Sequence, residues 1–277
     1  MTAAAHQRRR RPRVSLLLVL LSVAGLLPAC GDSPTKPSPP PDSPPNTPPV
    51  IGSLTVDRER TEVGRDVRIS ATVTDAETPV TSLAYEWTSA VGTFSGTGAE
   101  VMWRASATAT TPAAIELTLT VVERYTAIVG GVSRSLENRT TKTASIRVNN
   151  SPRETAELGV RFLTDFANSR IPAAVAVREF TDSCSGKQDE LRDVEHNRET
   201  FDIVGFELGT PDVELNSRLT SATIEIPCDF TSIRLSTGET EQATGTCALT
   251  AVYEQFRWWL CTSRFFGTTS SGRLFMR

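Results

Sequence analysis

Hydrophobic and polar residues alternate along several short segments between residues 50 and 149. In residues 67–74, Val, Ile, Ala and Val take turns with Arg, Ser, Thr and Thr. Because neighbouring side chains of a β-strand point to opposite faces, this period of two predicts a strand with one buried face. The same reasoning predicts strands at residues 83–87, 100–103, 115–122 and 143–148. About seven such strands with turns between them predict an antiparallel β-sandwich over residues 50–149.

The spacing of the apolar residues changes after residue 150. Leu158, Phe162 and Phe166 are four residues apart, which places them on one face of a helix predicted over residues 153–169. Shorter helices are predicted at 172–180 and 187–198, and strands at 201–208, 213–215, 219–235, 241–253 and 256–266. Helices followed by antiparallel strands predict an α+β domain over residues 151–277, with the helices on one face of a curved sheet.

The first 29 residues have a different composition from the rest of the chain. A cluster of arginines at positions 8–13 precedes an apolar run at 14–27, and small residues follow. A basic segment, an apolar segment and a small-residue cleavage site are the three parts of a secretory signal. The apolar run is shorter than the about 20 residues that a permanent transmembrane helix needs. We therefore predict a cleaved signal peptide over residues 1–29.

The sequence Leu27-Pro28-Ala29-Cys30 resembles the lipobox of bacterial lipoproteins. The resemblance implies that the Cys30 sulfur carries a diacylglycerol and that cleavage makes Cys30 the first residue of the mature protein. Two or more acyl chains, at about 0.8 kcal/mol per buried methylene, give stable anchoring. The implied location is the bacterial cell envelope, with the chain lipid-anchored and facing the periplasm or the exterior. The alternative is an ordinary signal peptide followed by a chance cysteine.

Proline occupies nine of the positions from 31 to 50, among Ser, Asp, Thr and Asn. A segment with few apolar residues cannot offset the entropy cost of ordering, and proline favours the extended polyproline II conformation. We therefore predict a disordered, semi-rigid tether over residues 30–49, with a reach of roughly 60 Å at about 3.1 Å per residue. A proline-rich ligand for a partner domain is the alternative interpretation.

An aromatic-x-Trp sequence at residues 85–87, a Gly-x-Phe sequence at 92–94 and a second tryptophan strand at 101–105 follow one another in the predicted sandwich. This order resembles bacterial immunoglobulin-like and polycystic-kidney-disease-type (PKD) surface domains, which implies a spacer or adhesion module. Trp87 and Trp103 are predicted to fill the core between two sheets, because large aromatic side chains dominate core burial. The alternative is that their indole faces stack on sugars.

The order of elements in residues 151–277, with Phe-Thr-Asp-Ser-Cys-Ser-Gly at 180–186 and Trp-Trp-Leu-Cys at 258–261, is similar to the nuclear-transport-factor-2-like (NTF2-like, SnoaL-like) cone fold. The resemblance implies a cone around an apolar pocket. It also implies one of two roles: an isomerase- or dehydratase-like enzyme, or a non-catalytic binding module. Tyr253 and Trp258 are the candidate pocket residues.

Few residues suggest catalysis or metal binding. His196 lies in a polar segment typical of a solvated helix face, and a catalytic role for it is the alternative. Asp75, Glu77 and Glu62 lie in polar loops, where carboxylates either bind calcium or are simply solvated. The sequence contains no nucleophile motif, metal-ligand spacing or phosphate loop. We therefore predict no catalytic residue, no metal and no cofactor. A net charge of -3 also argues against nucleic acid as a partner.

The four cysteines after Cys30 all fall in the predicted α+β domain, at positions 184, 228, 247 and 261. In an oxidising compartment two disulfides are expected, and three pairings are possible. A tight turn at Thr237-Gly238 would place Cys228 directly opposite Cys247. We therefore favour Cys228 with Cys247 and, by remainder, Cys184 with Cys261. Pairing of Cys247 with Cys261 stays open, as do four free thiols.

These observations lead to three functional hypotheses. The first is a non-enzymatic surface or periplasmic lipoprotein, whose sandwich is a spacer or adhesion module and whose C-terminal domain binds a ligand or protein. The second is an enzyme that acts on a small hydrophobic molecule in the cone pocket. The third is a carbohydrate- or cell-wall-binding protein. The membrane, reached through lipidated Cys30, is the expected partner in all three, with a protein, a glycan or a small hydrophobic ligand as the second.

Overall fold

The computed structural model of the chain describes residues 36–270. The predicted signal peptide, the predicted lipidation site Cys30 and the last residues, 271–277, lie outside this part. Strands account for 52% and helices for 17% of the described residues, which are therefore mostly β. In residues 36–270 no helix is both long enough and apolar enough to span a bilayer.

Residues 50–149, called the N-terminal region below, form two four-stranded sheets. One has the strand order β1-β3-β6-β5 and the other β2-β8-β7-β4. A short 3-10 turn at Val80–Ser82 precedes β4. The strands are β1 Val50–Val56, β2 Arg60–Glu62, β3 Asp66–Thr74, β4 Ala84–Ser89, β5 Thr93–Ser95, β6 Glu100–Arg104, β7 Ala113–Val129 and β8 Val132–Asn149.

The inward positions of these strands form two clusters of buried hydrophobic side chains, and the larger one receives residues from both sheets. Ile69 on β3 and Trp103 on β6 come from one sheet, and Leu117 on β7 and Ile146 on β8 come from the other. All four side chains are almost completely buried. The alternation in residues 67–74 therefore produced the predicted strand, because every second side chain enters this core.

The β7–β8 hairpin is much longer than predicted. Its pairing continues from Ala113 opposite Val148 to Val129 opposite Val132, whereas β4 pairs with β7 only as far as Val122. The part beyond Val122 thus extends past the end of β4. Gly130 and Gly131 form the turn with φ of 61° and 75°, values that a two-residue hairpin turn requires and glycine adopts readily.

Residues 42–49 lie against this extended part of the hairpin, which corrects the prediction of disorder over that part of the tether. The Ser43 amide donates to the Ile128 carbonyl at 2.9 Å, and the Ile128 amide donates to Ser43 Oγ at 2.8 Å. Ser43 and Asn46 are half-buried and Pro49 is buried. Their spacing of three residues matches the turn of a polyproline II helix, so one side of this segment faces the hairpin.

Residues 151–270, called the C-terminal region below, contain helices followed by a five-stranded sheet with the path β10-β11-β12-β13. Strand β9 pairs with β11 as well, on the same edge as β10 but farther along the strand. The elements are α1 Ser151–Ala167, α2 Ala173–Ala176, α3 Gly186–Thr200, β9 Phe201–Leu208, β10 Asp212–Leu215, β11 Ser221–Arg234, β12 Thr240–Glu254 and β13 Arg257–Thr269.

Helix α1 covers the sheet with its apolar side. The Asn150 side chain caps its start by accepting from the Arg153 amide at 3.3 Å. Leu158, Phe162 and Phe166 are buried in one core cluster with the inward side chains of the sheet. The four-residue spacing of these side chains therefore predicted both the helix and its buried face.

Candidate functional site

The face of the sheet that is covered by α1 is filled with aromatic side chains. Phe162 meets Phe180 edge to face, with ring centroids 4.9 Å apart. Phe230, on β11, has Phe166 and Phe265 at 6.1 Å each, both edge to face. All five are at most 2% exposed. Such edge-to-face packing is a favourable arrangement for phenyl rings, so protein atoms fill the space under the helix.

A small gap remains at one margin of this core. It is lined by residues that include Phe166, Arg198 and Ile203, and its volume is about 10 Å³. This is about the size of a single water molecule. The gap is therefore too small for an organic ligand without rearrangement of the core.

Helix α3 places one carboxyl group in this interior. Glu190 is buried, and Ser263 on β13 donates a hydrogen bond to Glu190 Oε1 at 2.6 Å. Burial disfavours the charged carboxylate and raises the pKa of Glu190 to about 7, and the nearby negative charge of Asp193 acts in the same direction. No sequence pattern pointed to Glu190, because it lies in a mostly polar helix.

The candidate pocket residues Tyr253 and Trp258 lie at the junction between the two regions. Their rings meet edge to face at 5.4 Å. The Arg60 guanidinium of the N-terminal region lies 3.6 Å from the Tyr253 ring centroid and 5.6 Å from that of Trp258. The Trp258 indole donates to Ser151 Oγ at 3.1 Å. The structure thus places both rings against other parts of the chain, where they hold the regions together instead of surrounding an open space.

Glu62 is the carboxylate of this junction. It accepts from the Ser151 amide at 2.8 Å, from Ser151 Oγ at 2.7 Å and from Arg60 Nη2 at 2.9 Å. Tyr253 Oη donates to Asn149 Oδ1 at 3.2 Å beside this group. Because charged hydrogen bonds are strong and their geometry is fixed in a buried setting, the network orients the start of α1 relative to β2.

These contacts also account for the residues suggested as calcium ligands. The carboxylate of Glu62 is engaged in the hydrogen bonds of the junction. Asp75 Oδ1 accepts from the Glu77 and Thr78 amides at 3.0 and 2.7 Å, and these bonds stabilise the conformation of its loop. Over residues 36–270, no group of three or more His, Cys, Asp or Glu side chains is placed to hold a metal ion. His196 is exposed on α3.

The tryptophans pack mainly as core residues. Trp103 is fully buried, and its indole donates to Ser89 Oγ at 3.1 Å. Trp87 is half-buried, donates to the Gly98 carbonyl at 3.0 Å and lies 5.9 Å from the Phe94 ring. A sugar platform requires an exposed indole face, and neither Trp103 nor the buried Trp258 provides one.

Both favoured disulfides are present. The Cα atoms are 5.3 Å apart in Cys184–Cys261 and 6.0 Å apart in Cys228–Cys247. The register differs from the predicted one, since Cys228 lies opposite Gly245 and Cys247 opposite Ile226. The cause is that the hairpin is centred between residues 236 and 237, one residue earlier than the predicted turn at Thr237-Gly238, which moves the partner of Cys228 by two residues. The bond therefore crosses the strands diagonally.

Comparison with known proteins gives only weak matches to solved structures. No family model and no curated protein matches the chain. An NTF2-like superfamily protein from Salmonella enterica serovar Typhimurium is 16% identical, with a TM-score of 0.34, over 42% of this chain and 90% of that protein. The Kfla4162 protein from Kribbella flavida is 12% identical, with a TM-score of 0.33, over 42% of this chain and 92% of that protein. The sporulation control protein Spo0M from Bacillus subtilis is 10% identical, with a TM-score of 0.20, over 81% of this chain and 91% of that protein.

Proposed function

We propose that this chain is a non-enzymatic lipoprotein of the bacterial cell envelope. In this proposal Cys30 carries the lipid, the N-terminal region is an immunoglobulin-like spacer, and the C-terminal region is an NTF2-like domain that binds a protein partner. The membrane is thus one partner and a protein is the other. The packed interior of the C-terminal region is the observation that carries the proposal.

An enzyme for small hydrophobic molecules needs an open pocket with acid and base groups that meet a substrate. In this chain the corresponding space holds Phe162, Phe166 and Phe230, and the remaining gap is about 10 Å³. With its interior occupied, the C-terminal region offers a partner its outer surfaces. Exposed apolar side chains on those surfaces include Val204 and Phe266, at 55% and 58% exposure.

The junction supports the spacer role. A spacer positions its cargo only if the connection does not swivel, and linkers between domains usually allow motion unless the interface is well packed. Here Arg60, Glu62 and Ser151 bond to one another, and Arg60 also lies over the Tyr253 ring. The C-terminal region is therefore held at a fixed orientation to the sandwich.

The lipid anchor is tested by metabolic labelling with an alkyne fatty acid, followed by detergent phase partitioning. The unmodified chain should incorporate the label and enter the detergent phase, whereas Cys30→Ala should do neither. Ser38→Ala, in the same proline-rich segment, is the matched control and should behave as the unmodified chain. Labelling that persists in Cys30→Ala would remove the anchor from the proposal.

The packed interior is tested with anilinonaphthalene sulfonate, a dye that fluoresces in accessible apolar cavities. The folded protein should give no saturable binding. Stoichiometric binding that a small hydrophobic molecule displaces would favour the enzyme hypothesis instead.

One observation favours that second candidate function. Glu190 is an interior carboxyl with a pKa raised to about 7, and a group that titrates near neutrality suits acid–base chemistry. If the dye binds in a cavity, the affinity of a ligand that displaces it should depend on pH, with the midpoint near the pKa of Glu190. Glu190→Gln should abolish the pH dependence, and a ligand affinity that stays the same across pH would count against an acid–base role.

A further inference from the structure

The chain that precedes β1 follows the extended hairpin toward its turn. We call residues 39–49 the strap and residues 129–132 the hairpin tip. Asp42 Oδ1 accepts from the Gly130 amide at 2.7 Å, while farther along Asn46 Nδ2 donates to Glu123 at 2.8 Å. Increasing residue number in the strap thus pairs with decreasing residue number in β7, so the two run antiparallel. The strap reaches the tip at its Pro39 end and β1 at its other end.

The strap supplies one of the hydrogen-bond donors to a buried carboxylate. Glu123 is completely buried and accepts hydrogen bonds from Asn46, Thr78 and Asn138. Burial by itself opposes the charge, but these three donors together hold the pKa of Glu123 below its ordinary value. Undocking of the strap would remove the Asn46 hydrogen bond to this carboxylate, so the bond favours the docked strap.

Pro39 lies directly beside the turn, because a side chain added to Gly131 would come within 2.7 Å of Pro39 Cβ. From Pro39 the chain has nine residues to go back to Cys30. Even a fully extended chain covers at most about 3.6 Å per residue, so Cys30 cannot be more than about 32 Å from the tip. The contact between Pro39 and Gly131 therefore keeps the tip close to the lipid attachment point.

The opposite end of the hairpin carries the C-terminal region. Strand β8 has 18 residues from Val132 to Asn149, and a strand rises about 3.3 Å per residue, which gives about 60 Å. Helix α1 begins directly after it, at Ser151. The C-terminal region thus starts farther from the tip than the chain between Pro39 and Cys30 can reach.

From this geometry we propose that the hairpin tip faces the lipid bilayer and that the strap holds the molecule by this end, with the C-terminal region directed away from the membrane. The proposal rests on the lipidation of Cys30 proposed above and adds which surface meets the lipid. The tip suits a bilayer surface, because Val129 and Val132 are 41% and 57% exposed and the exposed Arg134 follows them. Apolar side chains next to a cation are favoured at an anionic lipid interface.

Fluorescence resonance energy transfer from a single donor label on the protein to acceptor-labelled lipids tests whether the tip faces the bilayer. Ser133→Cys places a label beside the tip, and Ser236→Cys places one in the β11–β12 loop; both serines are exposed. The other cysteines are in disulfides or at position 30, so the introduced thiol is labelled selectively. The lipidated protein is reconstituted in vesicles of phosphatidylethanolamine and phosphatidylglycerol that contain an acceptor-labelled lipid. We expect transfer from the Ser133→Cys label to be several-fold stronger than from the Ser236→Cys label.

A second variant tests the role of the strap. Asp42→Ala with Asn46→Ala removes contacts to Gly130 and Glu123, so the tip is no longer fixed near the anchor. The efficiency of energy transfer from the label at position 133 should then fall toward the efficiency measured from position 236. Binding of the protein to vesicles should be unchanged. If the strap is unaltered and energy transfer from the labels at positions 133 and 236 is equal, the proposed orientation is overturned. The proposal of a lipid anchor would not be affected by that result. Failure of the protein to bind vesicles at all would overturn both.

Discussion

Among the buried carboxyl groups of the molecule, Glu123 in the N-terminal region and Glu190 in the C-terminal region behave in opposite ways. In the N-terminal region three side chains donate to Glu123, and its pKa is held below the ordinary value despite burial. In the C-terminal region burial raises the pKa of Glu190 to about 7, although Ser263 donates to it. Three side-chain donors to Glu123 and one to Glu190 accompany these opposite shifts, because hydrogen bonds to a carboxylate favour its charged form.

The same contrast extends to how each region is stabilised. The N-terminal region has a core of aliphatic side chains around Trp103 and contains no cysteine. The C-terminal region has a core rich in phenylalanine and two disulfides. We therefore expect reduction of the disulfides to act mainly on the C-terminal region, and a change of pH to act on the two regions in opposite directions.

Removal of each disulfide should destabilise the C-terminal region by an amount that follows loop length. The two bonds have sequence separations of 77 and 19 residues. In the chain-entropy model these loops correspond to about 4.5 and about 3 kcal/mol. Denaturant unfolding of the double serine variants should therefore show a larger loss without Cys184–Cys261 than without Cys228–Cys247. A shift of the N-terminal transition of the same size would contradict the separation of the two regions.

Truncation of Phe162 to alanine should cost about 4 kcal/mol of unfolding free energy, because a fully buried phenyl ring is replaced by a cavity. Phe256→Ala is the matched control. Phe256 is 60% exposed, so its truncation should change the unfolding free energy by less than about 0.5 kcal/mol. Similar losses in the two variants, measured by urea unfolding, would show that the interior is not packed as described.

Glu190→Gln should stabilise the C-terminal region at high pH and have little effect at low pH. The folded-state pKa of about 7 lies above the ordinary value of 4.5. The stability that comes from the protonated carboxyl is therefore fully present below pH 4.5 and is lost as the pH rises through 7. At pH 8 the variant should be more stable by at most about 3 kcal/mol. Thermal unfolding from pH 4 to pH 8 measures this, and a constant difference between the two proteins would rule out titration of Glu190.

Asn138→Ala should cost about 1–2 kcal/mol at neutral pH, because it removes one donor to a buried carboxylate. It should also raise the pKa of Glu123. In the unmodified chain, the stability supplied by charged Glu123 is present above the ordinary carboxyl pKa and is lost as the pH falls through the lowered folded value. The variant should lose that stability at a higher pH than the unmodified chain, which acid unfolding followed by tryptophan fluorescence would detect.

Local patterns were enough to predict much of the fold. The alternation at residues 67–74 predicted β3, and the four-residue spacing of Leu158, Phe162 and Phe166 predicted α1. In both cases the buried side chains are close in sequence and repeat with the period of the element. The favoured cysteine pairing was also confirmed, although the register that suggested it was shifted by two residues.

Other features depend on contacts between distant parts of the chain, which no local pattern reveals. The docking of Asn46 on Glu123 is one example, because proline-rich composition alone predicts disorder. The position of Arg60 over Tyr253 is another, since neither residue carries a local sign of its partner. The placement of Tyr253 and Trp258 at the junction follows from that contact, and the expectation that they line a pocket came only from the resemblance to the cone fold.

The contacts of the junction should make one rigid body of the two regions. Pulsed electron paramagnetic resonance between spin labels at Arg65→Cys and Ser217→Cys tests it directly, because these exposed positions lie on opposite sides of the junction. We predict a single narrow distance distribution in the otherwise unmodified chain. Adding Arg60→Ala, which leaves Glu62 without its guanidinium partner, should broaden it. A broad distribution already present with Arg60 in place would contradict a rigid junction.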